Sequence, residues 1–487
     1  MKIDFAFPIL MALASASACT ADSAPRETIQ PFKVWKDVAD TELKKFTAPS
    51  AKRFELPNGM VIFLLEDHEL PIVDVSMTVR AGELHEPPEK AGIAEVTAAV
   101  MRTGGSAKYP GDKLDETLDD MAAEISISSG PDAGNASLKT LKEDFDKGFE
   151  IFTDLLLHPA FPENKIDLQL SQMRAGISKR NDSPGSIAFR EFRKALYGAQ
   201  SPYARVIEYD NLANIDRKAL LEQHAKIYHP NLYILGVVGD FKSDEMLAKI
   251  KAAFEGQPRH DAALPAIAPI PTAHEKKTLF VERPRINQTT IMMGHVVDLR
   301  RNSPEYAAIQ MMNEVLAGGM AARLFTEVRT KKGLAYSVGG TVQAYYNRPG
   351  IFYCHALTRN EQALETVEAI RDEINKLREK GVTENELAEA RQSILNSFVF
   401  NFDSPAKIIG RQMTYELYGY PMDFAEKLLE QIKHVTVADV NAAAVKYLDP
   451  EKLTLLGVGN TEKVPPAKSF KSLPAVQMLD VTIPKAK

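Results

Sequence analysis

Two kinds of hydrophobic spacing run through this chain. Runs such as IVDVSMTV (72–79) and LYILGVVG (232–239) are rich in β-branched and aliphatic residues that alternate or run together, the pattern of strands buried on one or both faces. Stretches such as LDETLDDMAAEI (114–125) and QALETVEAIRDEINKLREKG (362–381) repeat apolar residues three and four apart. That spacing predicts helices with one face turned to a core. Strands and helices are interspersed, with hairpin-like turns between them. The expected class is therefore α+β, with antiparallel or mixed sheets carrying helices on one face.

The pattern also repeats. YHPNLYILGVVGD (228–240) is answered by YLDPEKLTLLGVGN (447–460), with Pro230 matching Pro450 and Gly239 matching Gly459. The helix-like segment ending AAVMRTGG (98–105) is answered by EYAAIQMMNEVLAGG (305–319). Both pairs are offset by a little over two hundred residues, which predicts two similar halves. Between them GQPRHDAALPAIAPIPTAHEKK (256–277) is rich in Pro and Ala without hydrophobic period, as an interdomain linker is. The expected domains are 51–257 and 276–475, joined by a linker over 258–275 and followed by a tail, 476–487.

Composition narrows the class. With 487 residues, 45% hydrophobic and 25% charged, the chain can bury substantial cores. A net charge of −6 with interspersed signs argues against nucleic acid as the main partner. The amino terminus, MKIDFAFPILMALASASACTADSAP, has a basic residue, a short apolar stretch and small residues up to Cys19. It reads as a signal peptide over 1–18, too short for a membrane span, and predicts an exported, periplasmic protein. Ala16-Ser17-Ala18-Cys19 is similar to a bacterial lipoprotein cleavage box, making Cys19 a lipidation candidate and a lipid anchor one possible outcome; cleavage at an Ala-x-Ala site is the competing reading. Residues 19–50 would form a tether and an N-terminal arm containing Trp35. The second cysteine, Cys354, lies in the strand-like GIFYCHAL and reads as a buried small hydrophobe.

Familiar catalytic motifs are missing. There is no G-x-S-x-G, no G-x-x-x-x-G-K-[ST] and no C-x-x-C. His224 and His229 are five apart, so on a helix their rings diverge and a structural role is favoured over metal binding. His85-Glu86 could act as an acid/base pair, but its loop position predicts solvation.

Several stretches occur in one order: FELPNGMVIFLLEDHELPIVDVSMTVRAGELHEPPEKAGIAE (54–95), ISKRNDSP (177–184), YGAQSPYARVIEYDNLANI (197–215), YHPNLYILGVVGDF (228–241) and ARLFTEVRTKKGLAYSVGG (322–340). Together they resemble the pitrilysin/insulinase family of inverted-motif zinc peptidases, in its two-domain, processing-peptidase-like form. The resemblance implies two α+β halves closing like a clam around a chamber. It also implies an H-x-x-E-H motif on the helix of AGIAEVTAAVMRTGG (91–105), whose two histidines would share one helix face while the glutamate activates a metal-bound water. Here those three positions hold Glu95, Ala98 and Ala99, and the later carboxylate ligand falls at Gly176. No metal is expected in this chain.

In active members of the family that this chain resembles, an arginine and a tyrosine spaced like Arg329 and Tyr336 reach from the second domain to hold the peptide and stabilise the oxyanion. Their donor chemistry suits that role. Read without the resemblance, Arg329 pairs with Glu327 or another helix neighbour and Tyr336 packs in the core. The resemblance therefore implies a non-zinc subunit of a heterodimeric envelope peptidase. A homologous partner would carry H-x-x-E-H and zinc, this chain would lend Arg329 and Tyr336, and a peptide or unfolded protein would be the substrate. The alternative is an inactive, peptide-binding or scaffolding pseudoenzyme.

Overall fold

The computed structural model describes residues 50–272, 275–462 and 464–485; the signal peptide, Cys19 and the Trp35 arm lie outside them. Among the described residues the strands build two six-stranded sheets. The first contains β1 (Lys52–Glu55), β2 (Val61–Glu66), β3 (Ile72–Val79), β4 (Glu124–Ser129), β5 (Gly134–Leu141) and β6 (Tyr233–Gly239) in the order β1-β2-β6-β3-β5-β4. The second contains β7 (Thr278–Glu282), β8 (Gln288–Val297), β9 (Ala335–Gln343), β10 (Gly350–Arg359), β11 (Thr454–Gly459) and β12 (Val476–Met478) in the order β12-β7-β11-β8-β10-β9.

The repeated strands hold equivalent places. β2 with β6 and β7 with β11 are the parallel pairs at the same point of each sheet, and the next three pairings are antiparallel in both. Only the outer strand differs. β1 precedes the first sheet and pairs antiparallel, whereas β12 comes from the chain's end and pairs parallel with β7. Residues 476–478, expected in a tail, thus complete a sheet. Beyond them Leu479 donates its N–H to the Phe280 carbonyl at 2.8 Å, and the half-buried Leu479, Val481 and Ile483 alternate with exposed residues.

The first half carries α1 (Ile93–Gly104), α2 (Gly111–Asp120), α3 (Phe145–Leu157), α4 (Glu163–Lys179), α5 (Pro184–Tyr197), α6 (Tyr209–Ala213), α7 (Arg217–Ile227) and α8 (Ser243–Phe254). The second carries α9 (Tyr306–Ala317), α10 (Ala363–Lys380), α11 (Glu384–Phe398), α12 (Pro405–Tyr418), α13 (Phe424–His434) and α14 (Val437–Tyr447). The helix expected over 114–125 stops earlier, at Asp120. Ala122 adopts φ 47°, a left-handed stop that sequence alone would assign to Gly or Asn, and β4 follows at Glu124.

Two helices are exchanged between halves. In β2, Ile62 and Leu64 face the first half's own core, while the alternate residues Val61 and Phe63 pack with Ile409 and Met413 of α12. Conversely, Ile187 and Phe192 of α5 pack with Met292 of β8 and Leu456 of β11. Each half thereby covers the second face of the other's sheet. The approach of α12 is close: a Cβ on Gly236 of β6 would lie 2.5 Å from the Met413 sulfur. Both exchanged helices start on an Asp-Ser-Pro triplet, with Ser183 and Ser404 accepting the N–H of Ser186 and Lys407 and proline entering the first turn.

The hairpin tips of the two halves also meet. Arg348, between β9 and β10, donates from Nη1 to both carboxylate oxygens of Asp132, between β4 and β5, at 2.7 and 2.8 Å. Tyr345 and Tyr203 hold its guanidinium 4.2 and 5.2 Å from their ring centres.

Candidate functional site

The degenerate motif sits on α1, which enters from Gly92 at φ 94°. No side chain next to the helix caps it; Glu86, upstream in the loop, does. Its carboxylate accepts the N–H of Gly92 at 2.9 Å and of Ala94 at 2.7 Å, satisfying donors that a helix start otherwise exposes. Glu86 is only 6% exposed, which corrects the expectation of a solvated loop residue. Its neighbour His85 meets the Pro265 carbonyl through Nδ1 at 3.0 Å, so the two do not form an acid/base pair.

Burial pushes the Glu86 carboxyl up to about 7, against the opposing effect of those two N–H donors. This has a consequence for stability. Between about pH 4.5 and 7 the unfolded chain has lost this proton and the folded chain keeps it, so folding becomes less favourable as pH rises. The expected loss is about 3 kcal/mol across that window. In Glu86→Gln that component of the slope is absent, as parallel denaturant titrations of both proteins at a series of pH values will read.

Along α1 the three motif positions diverge in environment. Ala98 is buried, Ala99 is half-buried and Glu95 is exposed. The protein around the Glu95 carboxyl nevertheless raises its pKa by limiting hydration. Helix α4 packs against α1 and brings Gly176 to the surface, where a Cβ would meet nothing within 4 Å. The fold thus retains the two-helix frame but supplies one carboxylate, two methyl groups and a hydrogen. Those residues do not fit zinc, which takes three protein ligands in a catalytic site. Among the described residues no group of three His, Cys, Asp or Glu could hold a metal elsewhere.

The other histidines and the cysteine have structural surroundings. His224 Nε2 meets the Leu156 carbonyl at 2.8 Å and its ring stacks on Tyr228; burial lowers its pKa. His229 Nε2 meets the Ala225 carbonyl at 2.6 Å. Cys354 is fully buried in β10 and its thiol pKa is pushed up by that burial, leaving it without thiolate reactivity.

Arg329 and Tyr336 lie together on the second half. The segment that carries Arg329 is a π-helix, Leu324–Lys331, that buries Leu324 and Val328 and is followed by Gly333 with φ 63°. Its wide turn brings residues four apart nearly into line, placing the Arg329 guanidinium 4.5 Å from the Phe325 ring centre and 5.9 Å from that of Tyr336. The alternative pairing with Glu327 does not form, because Glu327 takes Lys331 at 2.6 Å. Nor does Tyr336 pack in the core. In the ladder with β10, Ser337 faces Leu357 and Ala335 faces Thr358, so Tyr336 is the extra residue of a β-bulge on an edge strand. Bulges redirect side chains, and this one leaves Tyr336 73% exposed. Neither its hydroxyl nor the Arg329 guanidinium hydrogen-bonds another described residue.

Sequence reasoning missed Glu83 and Arg193, and it did not foresee Glu86 as a buried helix cap. Glu83 lies within electrostatic reach of Glu95 and of Arg193 on α5, and burial, then Glu95, raises its carboxyl pKa. No short-range motif marks these residues. They come together because α5 turns back past the loop that precedes α1.

Two family models match successive stretches of the chain: one described as insulinase (peptidase family M16) over residues 61–208, and one described as peptidase M16 inactive domain over 214–394. The non-peptidase homolog YmxG of Helicobacter pylori is 23% identical over 401 residues, covering 82% of this chain and 91% of that protein. An uncharacterized zinc protease, YmxG of Bacillus subtilis, is 23% identical over 394 residues, 81% of this chain and 94% of that protein. A peptidase M16 inactive domain from Pseudomonas fluorescens superposes with TM-score 0.76 at 26% identity, covering 86% of this chain and 100% of that one. A protease from Helicobacter pylori superposes with TM-score 0.75 at 20% identity, covering 84% and 99%.

Proposed function

Because the chain belongs to the insulinase family, peptidase family M16, we propose that it is the non-zinc subunit of a heterodimeric peptidase in the cell envelope. The observation that carries this reading is the contrast between the two halves. The first has lost all three ligand positions and the base, at Glu95, Ala99, Gly176 and Ala98. The second keeps Arg329 and Tyr336 exposed, side by side and without hydrogen-bond partners among the described residues. A surface guanidinium and phenol held by a π-turn and a bulge are poorly explained as packing. They are well suited to take a peptide carbonyl and the negative charge that develops on it.

In the assembly a homologue with an intact H-x-x-E-H motif supplies the zinc and the hydrolytic step. This chain supplies the donors that hold the substrate, an extended peptide or unfolded protein. Export rests on the amino-terminal sequence, and Cys19 is the candidate lipid attachment point. No helix among the described residues is long and apolar enough to cross a membrane.

A second reading, an inactive peptide-binding or scaffolding protein, is favoured by the likeness to the Helicobacter pylori protein that is itself named a non-peptidase homolog. What accompanies the tagged mature protein on isolation from envelope extract separates the two: a near-stoichiometric H-x-x-E-H homologue supports the subunit reading.

A further inference from the structure

A second cationic site lies in the first half. A cavity of about 370 Å³ opens between the start of α5 and residues 204–206, lined by Ser186, Phe189, Arg190, Arg193, Arg205 and Val206 among others, with no carboxylate in its wall. Three arginines around one cavity are costly to bring together unless their charge is answered.

Arg190 is answered within the protein. It donates to Glu191 at 2.7 Å, to the Arg180 carbonyl at 3.2 Å and to Asn181 Oδ1 at 2.8 Å. The other two arginines are answered only in part by hydrogen bonds, with the Glu83 carboxyl within electrostatic reach of Arg193 and the Glu86 carboxyl within reach of Arg205. Arg193 uses one terminal nitrogen on the Tyr203 carbonyl, and Arg205 uses one on the Glu86 carbonyl at 2.9 Å. Each keeps its Nε and a second terminal nitrogen free of described partners. Beside them the Phe189 ring is 47% exposed, 5.9 Å from the Arg193 guanidinium carbon. The wall thus combines an apolar face with a pair of forked donors, a match for a carboxylate carried on a peptide.

The cavity is linked to the start of the degenerate helix through Glu86, whose carbonyl takes Arg205 and whose carboxylate takes the N–H groups of Gly92 and Ala94.

We propose that Arg193 and Arg205 form a subsite for a peptide carboxylate, either an acidic side chain or the carboxyl terminus. This rests on the reading of the chain as a peptide holder and specifies its ligand: peptides with a negative charge near the bound segment.

Calorimetric titration of the mature chain with three peptides tests it. The first is acetyl-Ala-Phe-Glu-Leu-Ala amide, the second its Gln analogue as the amide, and the third that Gln analogue with a free carboxyl terminus. The first or the third, according to which carboxylate the subsite takes, should bind at least about tenfold more tightly than the neutral amide. Arg193→Gln should erase that preference, while Arg193→Lys, which keeps the charge, should retain part of it. Raising the salt concentration should weaken only the charged peptides. Equal binding of all three peptides, or a preference that survives in Arg193→Gln with Arg205→Gln, overturns the subsite and leaves peptide holding intact. Binding of none of them overturns both.

Discussion

In the proposed pair, Arg329→Ala is expected to lower turnover about 10²- to 10³-fold, the size of effect seen when one oxyanion donor is removed, while zinc content stays unchanged. The structural reason is that Arg329 has no other task. Its guanidinium sits on the Phe325 ring and beside Tyr336, and an exposed cation over an aromatic ring contributes about 0.5–1 kcal/mol to folding. The variant should therefore melt close to the wild type. Tyr336→Phe removes only a hydroxyl and keeps the ring against Arg329, so it should lower turnover with still less effect on folding. Turnover equal to wild type in both variants would remove these residues from the account. A large fall in melting temperature would instead assign them a packing role.

The second large effect is on stability. Asp132→Ala should destabilise the protein by about 3–5 kcal/mol, because it strands a mostly buried guanidinium. Arg348 is 13% exposed and Asp132 19%, and the arginine is further enclosed by Tyr345 and Tyr203. The pair joins hairpins from opposite halves, so the cost falls on their association. Replacing both partners, Asp132→Ala with Arg348→Met, should recover most of the loss, since no uncompensated charge then remains. Denaturant unfolding of the wild type and these two variants gives the comparison. A single variant as stable as wild type would show the ion pair to be dispensable.

Much of the architecture was legible because it is local. β3 spans Ile72–Val79 as its alternation predicts, and α10 spans Ala363–Lys380 and stops at Gly381, whose φ is 70°. The duplicated prolines mark the turns into β6 and β11, and the duplicated glycines end those strands. The helix exchange was not legible, although the Asp-Ser-Pro triplet before α5 recurs before α12. A helix's own period tells which face is apolar and not which sheet it meets. At the site, motif spacing located the empty α1 positions and Arg329 with Tyr336. The bulge that turns Tyr336 outward, the π-turn under Arg329 and the distant Glu86 cap depend on contacts between segments, and no residue type announces them.

The central claim is that the chain lends Arg329 and Tyr336 to a catalytic centre it does not contain. Isolating the tagged mature protein from native envelope extract and identifying its stoichiometric companions tests this most directly. The account predicts a homologue carrying H-x-x-E-H in a ratio near one to one. Recovery of the chain alone, or only with further copies of itself, would contradict it.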